Sequence, residues 1–178
     1  YKYQIYNNGV INVGTYIYNN KNGEYEFQVD TGSNIGGLIG NNTTENGKTG
    51  SLTAGYNTGA INASGSTNVG GIAGSNSGTI DQVFNTVMVK PGSTQDDAIE
   101  GGKNVGGLVG NNSGILNNAY NTTSEVKGNA ASTGNLVGTN SDTVQYVYGV
   151  ADKLIGDGKT AENGYVIDGS DTWLQEAN

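Results

Sequence analysis

The chain has 178 residues, a net charge of −8, 31 glycines, one proline and neither cysteine nor histidine, and its eight basic residues are all lysine. The missing cysteine excludes disulfides, thiolate metal sites and cysteine nucleophiles, and an acidic chain without arginine is a poor partner for nucleic acid or anionic membrane. Only 34% of the residues are hydrophobic and 13% charged, close to the composition of disordered chains; a recurring segment with alternating apolar positions argues for order instead, because stacked repeats need only a thin core.

Residues 1–33 read as an incomplete first coil. Asn8-Gly9-Val10-Ile11 resembles the later turn and strand at Ser77-Gly78-Thr79-Ile80, and Tyr18-Asn19 matches a recurring aromatic-Asn strand end. A polar turn follows (Asn19-Asn20-Lys21-Asn22-Gly23). Residues 24–29 then alternate polar and apolar, which predicts a half-buried strand with Tyr25, Phe27 and Val29 on one face.

Residues 34–134 hold three aligned units. Each opens on a Gly-Gly-apolar-apolar-Gly strand, turns at Asn and Ser-Gly, and runs into a second strand ending in Tyr56-Asn57-Thr58, Phe84-Asn85-Thr86 or Tyr120-Asn121-Thr122. A third short strand is expected at Ala60-Ile61, at Val87-Met88-Val89 and at Glu125-Val126, followed by loops of varying length. The closing glycines of the first strand, Gly40, Gly74, Gly110 and Gly138, are 34, 36 and 28 residues apart. Such periods mark a repeat architecture.

Stacking the units predicts columns. Leu38, Ile72, Leu108 and Leu136 or Val137 form one apolar column; Leu52, Ile80, Leu116 and Val144 form another. Asparagine recurs at Asn42, Asn76, Asn112 and Asn140, and again at Asn57, Asn85 and Asn121. Turn chemistry and side-chain ladders account for this recurrence better than a ligand does. The aromatic column of Tyr56, Phe84, Tyr120 and Tyr148 is open in two ways. Counting by twos from Leu52, Ile80 and Leu116 places it inside, whereas a bulge would bring Gly55, Val83, Ala119 and Val147 inside instead. If it faces outward, it becomes a possible ligand contact, a strip on which sugar rings would stack. The paired glycines at Gly36-Gly37, Gly70-Gly71 and Gly106-Gly107 suit a corner or a close backbone approach. They lack the spacing of a phosphate loop.

Residues 135–178 supply a last coil and an end region, either a cap or a linker. Its second strand is clear over residues 143–148. Residues 171–177 predict one helical turn, with Trp173 and Leu174 able to plug an open end of the stack.

These units resemble the GLUG repeat, named for its Gly-Leu-apolar-Gly core, here Gly107-Leu108-Val109-Gly110, Gly71-Ile72-Ala73-Gly74 and Gly37-Leu38-Ile39-Gly40. The Ser-Gly turn and the Tyr-Asn-Thr triplet are similar to the family's downstream half. The resemblance implies an all-β, right-handed parallel β-helix of about four to five coils. It also implies a place in a large secreted or surface-anchored bacterial protein, such as a filamentous-haemagglutinin-like adhesin, or an accessory region of an immunoglobulin A1 protease. It transfers no catalytic residues. The fourth copy departs from the pattern, with Asn135 for the second glycine and Asp142 for the turn glycine, which sets the completeness of that coil as a question for the structure.

The expected function is therefore a non-catalytic stalk and binding module with no cofactor. Its partners would be a host-surface protein or glycan and the rest of a longer parent chain, with no nucleic acid and no membrane insertion by this segment. A carbohydrate-binding or carbohydrate-cleaving β-helix is the alternative, marked by exposed aromatics beside carboxylates on one face. The acids lie mostly in loops: Asp96, Asp97 and Glu100, then Asp152, Asp157, Glu162, Asp168 and Asp171. Their spacing does not follow a calcium-binding loop. Binding is expected from the variable loops, residues 87–103 first among them.

Overall fold

A computed structural model describes residues 4–88, 91–93 and 96–167. The expected plug at Trp173 and Leu174 lies outside them. The described residues are all-β, with one three-residue 3-10 turn among them at Ala130–Ser132.

Three parallel sheets carry the chain, and successive repeats visit them in rotation. The first contains Ile5–Asn7, Ser51–Asn57, Thr79–Asn85, Ile115–Asn121, Thr143–Gly149 and Glu162–Val166, hydrogen-bonded in that order. The second is built on Ile61–Gly70 and Ala98–Gly106, flanked by Ile11–Asn12 and Ser33–Gly36 on one side and by Glu125–Lys127 and Thr133–Gly134 on the other. The third runs Ile39–Asn42, Ala73–Asn76, Val109–Asn112, Val137–Asn140 and Ile155–Gly158. Each strand pairs with its equivalent one repeat away, so like residues lie side by side.

The apolar columns follow from that register. Leu52, Ile80, Leu116 and Val144 are mutual partners in the first sheet, and all are buried. Leu38, Ile72, Leu108, Leu136 and Leu154 are linked by successive backbone N–H to carbonyl bonds of 2.9–3.0 Å. Leu136 therefore continues this column, while Val137 pairs with Val109. Burial of each such side chain stabilises the fold by about 1.5–3 kcal/mol.

The interior is not one core but two. The larger lies between the first and third sheets, and the smaller gathers Ile61, Ala63, Val69, Ile99 and Val105 behind the second. A waist separates them. There Gly37, Gly71 and Gly107 face the amides of Asn57, Asn85 and Asn121, and a Cβ on any of these glycines would run into that amide or the neighbouring backbone. This close approach explains the second glycine of the motif.

Both predicted asparagine columns are buried ladders. Asn42 Nδ2 donates to Asn76 Oδ1 at 2.8 Å, Asn76 to Asn112 at 2.8 Å and Asn112 to Asn140 at 2.9 Å. Asn7, Asn57, Asn85 and Asn121 repeat the arrangement at 2.8–2.9 Å. The same amides also serve the following turn: Asn57 Nδ2 donates to the Gly59 carbonyl while its Oδ1 accepts the Gly59 N–H. A third ladder was not foreseen. Asn34, Asn68 and Asn104 sit at φ 54–59° and are joined by amide bonds of 3.0 and 2.8 Å.

The departures in the fourth copy compensate each other. Its strands still pair in register with those of the third. The ladder position after Asn121 is Gly149, and the waist position after Gly107 is Asn135, so glycine and asparagine have exchanged sides. The Asn135 side chain reaches across: its Nδ2 donates to the Thr123 carbonyl at 3.1 Å and its Oδ1 accepts the Val150 N–H at 2.9 Å. A Cβ at Gly149 would stand 2.6 Å from Asn135 Oδ1. At Asp142 the turn contacts persist through Asn140.

Three local expectations are corrected. Tyr6-Asn7, not Tyr18-Asn19, is the first strand end, in register with Tyr56-Asn57. Gly9 aligns with Gly59 rather than with Gly78, since Ile11 pairs with Ile61. Val87 and Met88 are not a strand, although Val87 packs against the smaller core and the Met88 N–H donates to the Thr58 carbonyl; Val89 lies outside the described residues, and Ile99 takes the inner place between Ile61 and Val126.

Candidate functional site

The bulge decides which way the aromatic column faces. Ala54, Gln82, Asn118 and Tyr146 adopt φ of 50–61°, and the pairing skips Gln82 and Asn118. One residue is thereby added to each strand. Val83, Ala119 and Val147 turn inward and are buried. The residues that follow, Tyr56, Phe84, Tyr120 and Tyr148, point outward at the surface of the first sheet.

There they form a longer strip than the sequence suggested, with Tyr6 at one end and Tyr165 at the other. Tyr6–Tyr56, Tyr56–Phe84 and Phe84–Tyr120 stack at 5.3, 5.0 and 4.9 Å with interplanar angles of 9°, 8° and 2°. Tyr148 and Tyr165 stack at 5.5 Å. Strand spacing of about 4.8 Å dictates this contact. Tyr56 and Phe84 are covered on both faces by their neighbours and offer only edges to solvent, while Tyr6 at the end of the stack remains 58% exposed. Of the carboxylates on this sheet face, Asp81 and Glu162 lie three strands apart in one row, separated by Asn117 and Gln145. That is about 14 Å, beyond the reach of a paired-carboxylate site.

A second aromatic group is built differently. Gly14–Asn19 and Glu24–Val29 form an antiparallel hairpin that leaves the second sheet. Its place is informative. Ile11–Asn12 and Ser33–Gly36 pair with the two halves of the unbroken strand Ile61–Gly70, so the hairpin is an insertion into one strand. The base is closed by the Asp30 N–H donating to the Val13 carbonyl at 3.2 Å, and by Thr15 Oγ1 donating to Asp30 Oδ2 at 2.9 Å. At the tip, Gly23 sits at φ 74° and donates to the Asn19 carbonyl.

Tyr16 meets Phe27 at 5.1 Å and 56°, and Tyr18 meets Tyr25 at 5.2 Å and 59°. These are tilted pairs, and their outer faces stay open: Tyr16 is 62% and Tyr25 70% exposed. Gly14 lets the Phe27 ring lie over the backbone, where a Cβ would overlap it.

Between the hairpin and the second sheet lies an open groove of about 300 Å³. Tyr16, Phe27 and Val29 line one wall. Asn12, Asn62, Ser64 and Glu100 form the floor, where Asn62 Nδ2 donates to Asn12 Oδ1 at 2.7 Å. Asp96, just ahead of the strand Ala98–Gly106, forms the far side. Lys127 stands behind it at 3.9 Å and lies 3.7 Å from Glu125. The groove thus combines exposed aromatic faces, amides, a hydroxyl and two carboxylates. It forms where two irregular segments of the chain converge.

Sequence reasoning placed Asp96 and Glu100 in a loop expected to bind and singled out Phe27, but it did not bring them together. The available signal was Asn22-Gly23 between two aromatic-rich alternating runs, a hairpin signature. A depression of about 310 Å³ near Leu154, Ile155 and Ala161 lies at the end of the stack, next to where the described residues stop. Among the described residues no group of three metal-ligating side chains converges, and Asp168 lies outside them. No protein-family model, curated protein or solved structure matches the chain.

Proposed function

We propose that the chain is part of a right-handed parallel β-solenoid of the GLUG-repeat kind, in a protein secreted to a bacterial surface, and that it serves without catalysis as a rigid stalk and binding module. The in-register pairing of like residues across all three sheets supports the solenoid, and its handedness follows from the crossover preference of parallel strands. Binding belongs to the groove under the hairpin. The observation that carries this reading is the meeting of two irregular parts of the chain: the hairpin inserted beside Asn62 and Ser64 of the second sheet, and Asp96 just ahead of the strand Ala98–Gly106, line the same groove. Constant strands position them, as a rigid scaffold positions binding loops.

A carbohydrate-cleaving role has less support. The Asp96 side chain is 70% exposed and faces an ammonium group, unlike the apolar surroundings that equip a carboxyl group as a general acid.

The test is excision of the hairpin. Residues 15–28 are replaced by Gly-Gly, using the existing contact between Val13 and Asp30 as the join. The shortened protein is expected to keep its β-type circular dichroism and cooperative melting while losing adhesion to glycoprotein-coated surfaces that the full chain binds. Undiminished adhesion would overturn the placement of binding in the groove. Release of reducing ends from a polysaccharide panel by the full chain would overturn the non-catalytic reading.

A further inference from the structure

We propose that the groove accepts an uncharged sugar ring of a surface glycan. The proposal rests on the binding reading above and names its ligand class. Tyr16, 62% exposed, and the half-buried Phe27, whose ring lies over Gly14, line the groove at a fixed tilt to each other, and an aromatic face packs against the C–H face of a pyranose as it packs against other apolar surface. Opposite them, Asn62 and Ser64 both donate and accept hydrogen bonds, while Asp96 and Glu100 only accept. Sugar hydroxyls also do both, so every lining group finds a matching partner. A lysine ammonium could donate to the carboxylates and to the amide and hydroxyl oxygens, but it offers no acceptor for the amide and hydroxyl hydrogens.

The charge pattern narrows the class further. Among the described residues the groove is lined by two carboxylates, of which Asp96 has Lys127 behind it at 3.9 Å and Glu100 has no such ion pair, so sialylated, sulfated or uronic-acid units would meet like charge. A volume of about 300 Å³ lies at the small end of ligand pockets. That suits one or two rings of a longer chain passing through an open groove.

The experiment applies the full chain and two variants to immobilised neutral, sialylated and sulfated oligosaccharides, to a lysine-rich peptide, and to deglycosylated surface protein. Neutral oligosaccharides are expected to bind and the acidic ones not to bind. Phe27→Ala should weaken binding about tenfold or more, whereas Tyr120→Ala in the stacked strip should leave it unchanged. Raising ionic strength should have little effect. Circular dichroism of both variants separates lost binding from lost fold, and Tyr16→Ala provides a second probe of the wall if Phe27→Ala unfolds. Equal binding of acidic glycans, binding confined to the peptide and abolished by salt, or insensitivity to both wall variants would overturn the sugar assignment. If the chain instead binds the deglycosylated surface and loses that binding on hairpin excision, the ligand class is wrong and the binding module stands. Failure on every surface would remove both.

Discussion

In the stacked strip the rings of Tyr6, Tyr56, Phe84 and Tyr120 lie nearly parallel, at 2–9° to one another; in the hairpin, Tyr16–Phe27 and Tyr18–Tyr25 meet at 56° and 59°. Both groups are outward-facing, yet they are chemically distinct. Parallel, in-register strands bring equivalent side chains to strand spacing, and rings at that spacing use their faces on each other. The two-stranded hairpin has no third strand on the same face to extend the stack. Repetition therefore turns aromatics into a stabilising column, and an insertion that breaks the repetition frees them for recognition.

This contrast can be broken most severely from beneath. Leu108→Asp places an unpaired charge in the larger core, at a cost of about 3–5 kcal/mol or more, against a total stability of about 5–15 kcal/mol. The stack is expected to unfold, with loss of the β-type circular dichroism and of the near-ultraviolet signal of both aromatic groups. A variant melting like the parent would mean that the inner column is misassigned.

A smaller effect is expected at the exchanged pair. Asn135→Gly leaves a gap and unpaired backbone groups near Thr123 and Val150, and Gly149→Asn puts two amides in one space. Each single change should cost about 1–3 kcal/mol. The double change restores the arrangement of the preceding repeats and should recover much of the loss. A double-mutant cycle by chemical denaturation measures the coupling, and simple additivity would count against the exchange. Because the pair lies under Tyr148 and Tyr165, the hairpin rings should be unaffected.

Tyr120→Ala sharpens the contrast directly. It removes one stacked ring and should lower stability by about 0.5–1.5 kcal/mol without touching the groove, whereas Phe27→Ala should weaken binding at the groove and loosen the hairpin that Tyr16 and Phe27 hold together. The smallest change is expected at Ser66, whose buried hydroxyl has no hydrogen-bond partner among the described residues. Ser66→Ala removes an unpaired polar group and should hold or slightly raise the melting temperature.

The stack was legible because its causes are local and repeated. Leu52, Ile80, Leu116 and Val144 announce a column through period alone, and Asn42, Asn76, Asn112 and Asn140 announce a ladder. The direction of the aromatic strip was not decidable, since the bulge that sets it falls on Ala54, Gln82, Asn118 and Tyr146. Left-handed backbone at such varied residues leaves no common signature. The third ladder was hidden for the opposite reason: Asn34, Asn68 and Asn104 border the glycine motif so closely that they read as part of it. The groove depends on a contact across sequence, between residues 16–29 and residues 62–100, which no period encodes. Tyr18-Asn19 also mimicked a repeat end and masked the hairpin.

The exchange of Asn135 and Gly149 has a consequence for how such a chain can change over generations. Repeats this alike invite unequal crossing-over between their coding sequences. A crossover falling between the two positions would join half of a Gly107-type repeat to half of the Asn135-type repeat, yielding either two glycines or two asparagines at the waist. Crossovers outside that interval would transmit the pair intact. The two residues therefore form a single heritable unit, and the lengths to which the array can grow or shrink are set by where the chain tolerates a seam.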